Sequence, residues 1–406
     1  MQRVPAFATL MSCPSLPMAM SHRYAIGDGV SYAIPTVAGL YAVYRSIKGP
    51  ASLRSPDDVR ARFVSTARII PVSKGSPLPH SVVAQGGGLV NIQRAMATAT
   101  LVRPHALFLN DSAFFNGSQT VHVTNEATTR RTYTVEHVPA ATLQTFVDSA
   151  KMEFLTGVVP PIGDAKSQAR VAMEPAHFEL APGEGRDVHL TFTAPAEDQV
   201  TLPVYSGFLN INVDGAPDDS VHATYFGVAG KLNPLPVLNT TGGKPFLVDP
   251  VTNKIVSEGD HVFTLHDKPS KGSDDKDDGG GGPILRYTFL FGTRLAVVDL
   301  VQADTTLADL SFDPASPPTA QPRYIKKHVA RIDSTPTIVR SQPDSSGWDS
   351  QVTSTWVDEG GKRLDIPEGR YRLLLRALRV FGKAEDETQW DGALTVPFVL
   401  KRQMKA

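Results

Sequence analysis

Beyond residue 100, apolar and polar positions alternate over short stretches separated by turn residues. Residues 119–124 and 132–138 follow this pattern. Residues 187–193 place Val188, Leu190 and Phe192 on one face, and residues 208–213 do the same with Leu209, Ile211 and Val213. Period-two alternation predicts half-buried strands. Several such strands between about residues 101 and 231 predict a mainly antiparallel β-sandwich. A second β-rich block spans 232–406, with its clearest strands at 287–291, 294–301 and 370–381. In the last of these, Tyr371, Leu373, Leu375 and Ala377 share a face, and Ile366-Pro367-Glu368-Gly369 reads as the turn that launches it.

The first hundred residues follow a helical period instead. Between residues 33 and 47, Ile34, Val37, Leu40, Tyr41, Val43, Tyr44 and Ile47 with several alanines cover nearly the whole helical circumference. That predicts a helix meant for burial in a larger domain. Gly49-Pro50 ends it, Pro35 is placed in its first turn, and Ser31 fits an N-cap. Ser55-Pro56-Asp57-Asp58 starts a second helix, expected to run to about Ala67. Residues 75–88 form a Gly/Pro/Ser-rich loop whose Gly86-Gly87-Gly88 lacks the lysine of a phosphate cradle.

Composition narrows the function class. The 406 residues carry a net charge of −1 with no basic patch, so nucleic acid is not an expected partner. Cys13 is the single cysteine, which excludes a disulfide framework and a cysteine metal site. No apolar run reaches the length of a transmembrane helix. Residues 268–283 form an acidic, glycine-rich insertion expected to be disordered. Its Asp274, Asp275, Asp277 and Asp278 lack the spacing of a calcium loop. Trp348, Trp356 and Trp390 are expected in the core rather than in a binding groove. Glycosylation sequons occur at Asn110-Asp-Ser112, Asn116-Gly-Ser118 and Asn239-Thr-Thr241.

The segment Gly29-Val30-Ser31-Tyr32-Ala33-Ile34-Pro35-Thr36-Val37-Ala38-Gly39 resembles the one around the nucleophile of subtilisin-like serine proteases, Gly-Thr-Ser-Met-Ala-x-Pro. Tyr24-Ala25-Ile26 resembles the strand that leads into that turn. Residues 85–92 resemble the end of the same catalytic domain. Val30 and Tyr32 stand where the family has Thr and Met. Leu107-Phe108-Leu109-Asn110-Asp111 through Tyr133-Thr134-Val135 resemble the fibronectin-like domain that follows the catalytic domain in large secreted members.

The resemblance implies a mixed fold: a partial α/β subtilisin-like remnant (1–100), a fibronectin-like β-sandwich (101–231) and a second β-sandwich (232–406). It casts the N-terminal stretch, broken by Pro5, Pro14 and Pro17, as a strand and loop rather than a leader. It also implies Ser31 as catalytic nucleophile, protein or peptide substrates, an extracellular or cell-surface location, and no cofactor or metal. A serine needs a base, and the base an orienting carboxylate. Before Ser31 stand only His22 and Asp28, neither in a family motif, and the first asparagine available for an oxyanion hole is Asn91. The ten later histidines, His80 to His328, carry no accompanying motif. The isolated chain, an incomplete or degenerate copy, is therefore expected to be inactive. A remnant this small is also expected to leave apolar surface uncovered. The alternative is a non-catalytic binding or adhesion protein built from the two sandwiches.

Overall fold

The computed structural model describes residues 13–17, 24–27, 29–49, 55–155, 159–241, 245–265, 281–311, 325, 327–338, 348–358 and 360–403. His22, Asp28, Pro50, His266 and the four aspartates of the insertion lie outside the described residues, as do the side chains of Val30 and Tyr32. The chain divides into two compact units, with the break between Lys231 and Leu232. Both are rich in β-sheet.

In the first unit, β1 (Cys13–Pro17) pairs antiparallel with β2 (Tyr24–Gly27). Four helices follow: α1 (Val30–Lys48), α2 (Pro56–Ser65), α3 (Val82–Gln85) and α4 (Ile92–Ala97). The strands are β3 (Thr100–Arg103), β4 (Ala106–Asp111), β5 (Ser118–Asn125), β6 (Arg131–Pro139), β7 (Phe146–Asp148), β8 (Glu153–Phe154), β9 (Arg170–Glu174), β10 (His177–Leu180), β11 (Gly185–Thr193), β12 (Val204–Val213) and β13 (Val221–Val228). They form a five-stranded sheet, β10-β6-β12-β13-β4, and a four-stranded sheet, β3-β5-β11-β9, with β7 and β8 paired apart. All pairings are antiparallel except β4 with β13.

Alternation explains why the two sheets pack face to face. Val121 and Val123 of β5, Val188 and Leu190 of β11, and Leu209 and Ile211 of β12 all point into one shared core. Each of these side chains contributes roughly 1.5–3 kcal/mol by leaving water.

In the second unit, the main strands are β14 (Phe246–Val248), β15 (Ile255–Val256), β16 (His261–Leu265), β17 (Ile284–Tyr287), β18 (Thr293–Gln302), β19 (His328–Ile338) and β20 (Trp348–Gln351). After them come β21 (Thr355–Val357), β22 (Arg363–Asp365), β23 (Gly369–Leu378), β24 (Trp390–Leu394) and β25 (Phe398–Arg402). One sheet runs β15-β14-β17-β20; the other runs β16-β25-β23-β18-β19, with β24 also on β23 and β16–β25 parallel. The larger sheet is buried on both faces. Ala296, Val298 and Leu300 join the main core, while Val297, Val301, Leu374 and Leu378 pack with Trp390 on the opposite side. All three tryptophans pack against core residues.

Boundaries moved where side chains took over from pattern. The strand expected at 287–291 ends at Tyr287, because the chain leaves the sheet there and Phe289 forms an isolated bridge with Leu238. The strand expected at 370–381 ends at Leu378, where a turn returns Gly382 N to Arg379 O. The second helix ends at Ser65 rather than near Ala67.

Candidate functional site

The helix α1 begins two residues earlier than its apolar period suggests. Its N-cap is Gly29, with φ 136°, and no side chain caps it. A side chain would strain that backbone, so glycine is required there. Ser31 is thus the second residue of the helix and not its cap, which corrects the N-cap expectation. The early start also moves Pro35 out of the first turn. Ala33 N donates to Gly29 O at 3.2 Å, so the next bonds in the ladder run from residue 34 to 30 and from 35 to 31. Pro35 has no N–H, and the Ser31 carbonyl goes without its helical donor.

Ser31 is exposed, in the first turn of a 19-residue helix, where free N–H groups and the dipole favour negative charge. Among the described residues no hydrogen bond reaches its hydroxyl. Histidines pair with aspartates elsewhere. His122 Nδ1 lies 2.6 Å from Asp187, His261 Nε2 lies 3.0 Å from Asp249, and His328 Nε2 lies 3.4 Å from Asp299. His189 and His177 hydrogen-bond Thr120 and Thr134. None of these joins Ser31. Asn91 caps α4, its Oδ1 accepting from Arg94 N at 3.1 Å. No group of three or more histidine, cysteine or acidic side chains is placed to hold a metal among the described residues.

The supports of the turn are better formed than its chemistry. Tyr44 of α1 meets Phe63 of α2 edge to face at 5.7 Å, and Ala95 of α4 completes a small core. Helix α2 carries a full capping box, with Ser55 Oγ accepting from Asp58 N and Asp58 accepting from Ser55 N. Beyond this core and the buried Ala33, α1 is largely exposed: Ile34 and Ile47 are each 62% exposed, and Val43 is 47% exposed. Ile34, Val37, Ala38 and Tyr41 form one wall of an open apolar groove, and Pro56, Val59 and Phe63 form the other. The burial on all sides that the helical pattern suggests is therefore not found.

Residues 55–97 are fastened to the sandwich. The guanidinium of Arg62 donates to Thr98 O and Thr100 O, both at 3.0 Å, and pairs with Glu126. Val82 N donates to Ser206 Oγ at 3.0 Å. His222 of β13, buried, donates from Nε2 to Gly87 O at 3.0 Å. Gln85 ties the loop to itself, accepting from Ile70 N and donating to Ile70 O and His80 O. At Gly88, with φ 114°, a Cβ would lie 2.3 Å from Arg68 O. The glycine run serves close backbone approach, not a ligand.

One charged cluster escaped the pattern reading. Asp299 of β18 is wholly buried and accepts from Arg376 Nη2 at 2.8 Å and from Arg331 Nε, with His328 beside it. Its sequence signal was present, since Asp299 and Arg376 each interrupt an apolar run within their strands, residues 295–301 and 373–378. Buried charges of this kind occur paired.

A family profile described as an Fn3-like domain matches residues 109–222, so a domain of this class is present within the first unit. No curated protein matches the chain. Among solved structures, the ASH/PapD-like domain of human CEP192 is 14% identical over 32% of this chain and 85% of its own, with a TM-score of 0.24. The class 5 fimbriae chaperone CfaA is 11% identical over 73% of this chain and 99% of its own, with a TM-score of 0.25. The CupB2 chaperone of Pseudomonas aeruginosa is 10% identical over 72% and 98%, with a TM-score of 0.20. Such low TM-scores carry no argument about this chain.

Proposed function

We propose that Ser31 is the nucleophile of a subtilisin-like serine endopeptidase acting on protein or peptide substrates outside the cell, and that this chain alone is inactive. The observation that carries the reading is the turn itself. A strand, Tyr24–Gly27, runs through a left-handed Gly29 into an exposed Ser31 at the positive end of a long helix. In that setting the hydroxyl would attack a scissile carbonyl, a histidine would take its proton, and an aspartate would orient the histidine. The nearby helix N–H groups favour the negative charge that develops. The described residues place no such base at Ser31, which is why activity is not expected of the chain as it stands. In this reading residues 1–100 are the protease-like part, and the Fn3-like region braces it through Glu126, Ser206 and His222.

A second reading, a non-catalytic binding protein, draws support from the Fn3-like match and from the Ser31 hydroxyl, which has no partner among the described residues. Labelling the purified chain with a fluorophosphonate probe, beside Ser31→Ala, tests whether the serine is activated in this chain. No label on either chain is the expected result. Label that depends on Ser31 would show an activated nucleophile and overturn the inactivity of the chain. If coupling the missing acid, base and oxyanion groups in trans never produces label, the binding reading replaces the protease one.

A further inference from the structure

β9 is the last strand of its four-stranded sheet, and its far edge is unpaired among the described residues. The hydrogen-bond phase fixes which groups that edge presents. Phe192 N donates to Gly117 O at 2.8 Å, so the even-numbered residues of β11 turn their backbone groups toward β5. Alternation turns His189, Thr191 and Thr193 toward β9, where they face Glu174, Ala172 and Arg170. The N–H and C=O groups of Val171 and Met173 therefore point away from the sheet. Such an edge is a template for a further strand.

The strand is complementary to itself about Ala172. Arg170, Ala172 and Glu174 are exposed on the outer face, while Val171 and Met173 are half-buried against the sandwich core. Neither Arg170 nor Glu174 takes part in an ion pair among the described residues. Set antiparallel to a second copy with Ala172 at the centre, Arg170 falls opposite the partner's Glu174, and Glu174 opposite the partner's Arg170. The same register sets Val171 opposite the partner's Met173, and each such pair exchanges both of its outward backbone hydrogen bonds. The charged residues then occupy the non-hydrogen-bonded positions, where facing side chains come closest. Centring on Val171 or Met173 instead loses both charge pairs. Pro175 follows, and its missing N–H ends the ladder.

We propose that β9 is a homodimer interface: two copies of this chain pair these strands antiparallel about a two-fold axis at Ala172, joining their four-stranded sheets into one. The inference goes beyond the protease reading and holds whether or not Ser31 reacts. An isologous interface needs a surface complementary to itself, and the order basic, small, acidic along the exposed positions supplies it. Val171 and Met173 lose their remaining contact with water in the same step. An edge of 5 residues makes a small interface, so the dimer is weak and concentration-dependent.

The test is sedimentation equilibrium of the full chain over a wide concentration range. The parent is expected to pass from monomer to dimer. Arg170→Glu or Glu174→Arg alone sets like charges opposite one another and should weaken association by about tenfold or more. The double variant, Arg170→Glu with Glu174→Arg, restores opposite charges and should regain the parent's dimer. Mixing the two single variants should also give dimer, because each then meets the charge it lacks. Hydrogen exchange adds a backbone readout: the amides of Val171 and Met173 should gain protection as protein concentration rises. A parent that stays monomeric overturns the proposal. So does a dimer indifferent to the single swaps, as association through the exposed face of α1 would be. A double variant that associates as weakly as the single ones overturns it too.

Discussion

Asp299 and Arg376 lie on neighbouring strands β18 and β23, Oδ2 to Nη2 at 2.8 Å, with side-chain exposures of 0% and 1%. Arg376 also lies over the ring of Trp390, 5.4 Å from its centroid. Because Arg376 pairs in register with Val297, the ion pair is diagonal and shares the sheet face that carries Val297, Leu374 and Leu378. Removing Asp299 takes from the buried Arg376 its carboxylate partner. Asp299→Asn is expected to destabilise the second unit by about 3–5 kcal/mol. The double variant Asp299→Leu with Arg376→Met should lose clearly less. Tryptophan fluorescence during urea unfolding reads this directly, since Trp348, Trp356 and Trp390 all lie in that unit.

The same aspartate sets an acid limit. Burial alone would raise its pKa, but Arg376, His328 and Arg331 outweigh burial and hold the carboxyl well below the usual carboxylate range. A depressed folded value means that the stabilisation is complete above the unfolded pKa of about 3.9 and fades as pH falls below it. Tryptophan fluorescence followed from pH 6 to pH 2 should show a loss of structure beginning near pH 4. The Leu/Met double variant should lack that component.

His222 acts at a higher pH. Burial pushes its pKa down to about 4 despite the bond to Gly87. The unfolded chain takes up this proton near pH 6.5 and the folded chain does not. Stability of the first unit is therefore full above about pH 6.5 and falls as pH drops toward 4, by about 3 kcal/mol in all. Calorimetric melting across that range should show the decline. In His222→Gln, which keeps a donor, the slope should flatten at a lower starting stability.

Gly88 and Gly75 both have left-handed backbones, yet they should respond differently to alanine. At Gly88 the new Cβ meets Arg68 O at 2.3 Å, whereas nothing lies within 4 Å at Gly75. Gly75→Ala should cost about 1 kcal/mol, from backbone strain alone. Gly88→Ala should exceed about 2 kcal/mol, because the bridge between Arg68 and Leu89 must part. Equal melting temperatures for the two variants would contradict the close approach.

The bare face of α1 should make the chain adhesive. Ile34→Glu or Ile47→Lys removes apolar surface without touching the Tyr44–Phe63 contact. Binding of a hydrophobic dye should fall, and the concentration at which light scattering appears should rise. Unchanged dye binding in the double variant would place the sticky surface elsewhere.

Local physics alone was enough to determine several features of this chain. Alternation in 119–124, 187–193 and 208–213 marked strands and their inward faces, because a strand turns every second side chain to the same side. The Ser55 capping box was legible because its partners are three residues apart. The start of a helix near Ser31 followed from the apolar run behind it. Tertiary structure decided the rest. Gly29 took the cap from Ser31 because the helix began earlier than its apolar period. Phe289 left its strand for a bridge to Leu238. His222, unmarked in sequence, became a buried strut once β13 lay against Gly87. Asp299 and Arg376 read as interruptions until the sheet brought residues 77 positions apart into one pair. Short-range patterns fix which residues enter an element and which way they face. Which distant element arrives opposite them depends on the whole fold, and no local window of sequence holds that information.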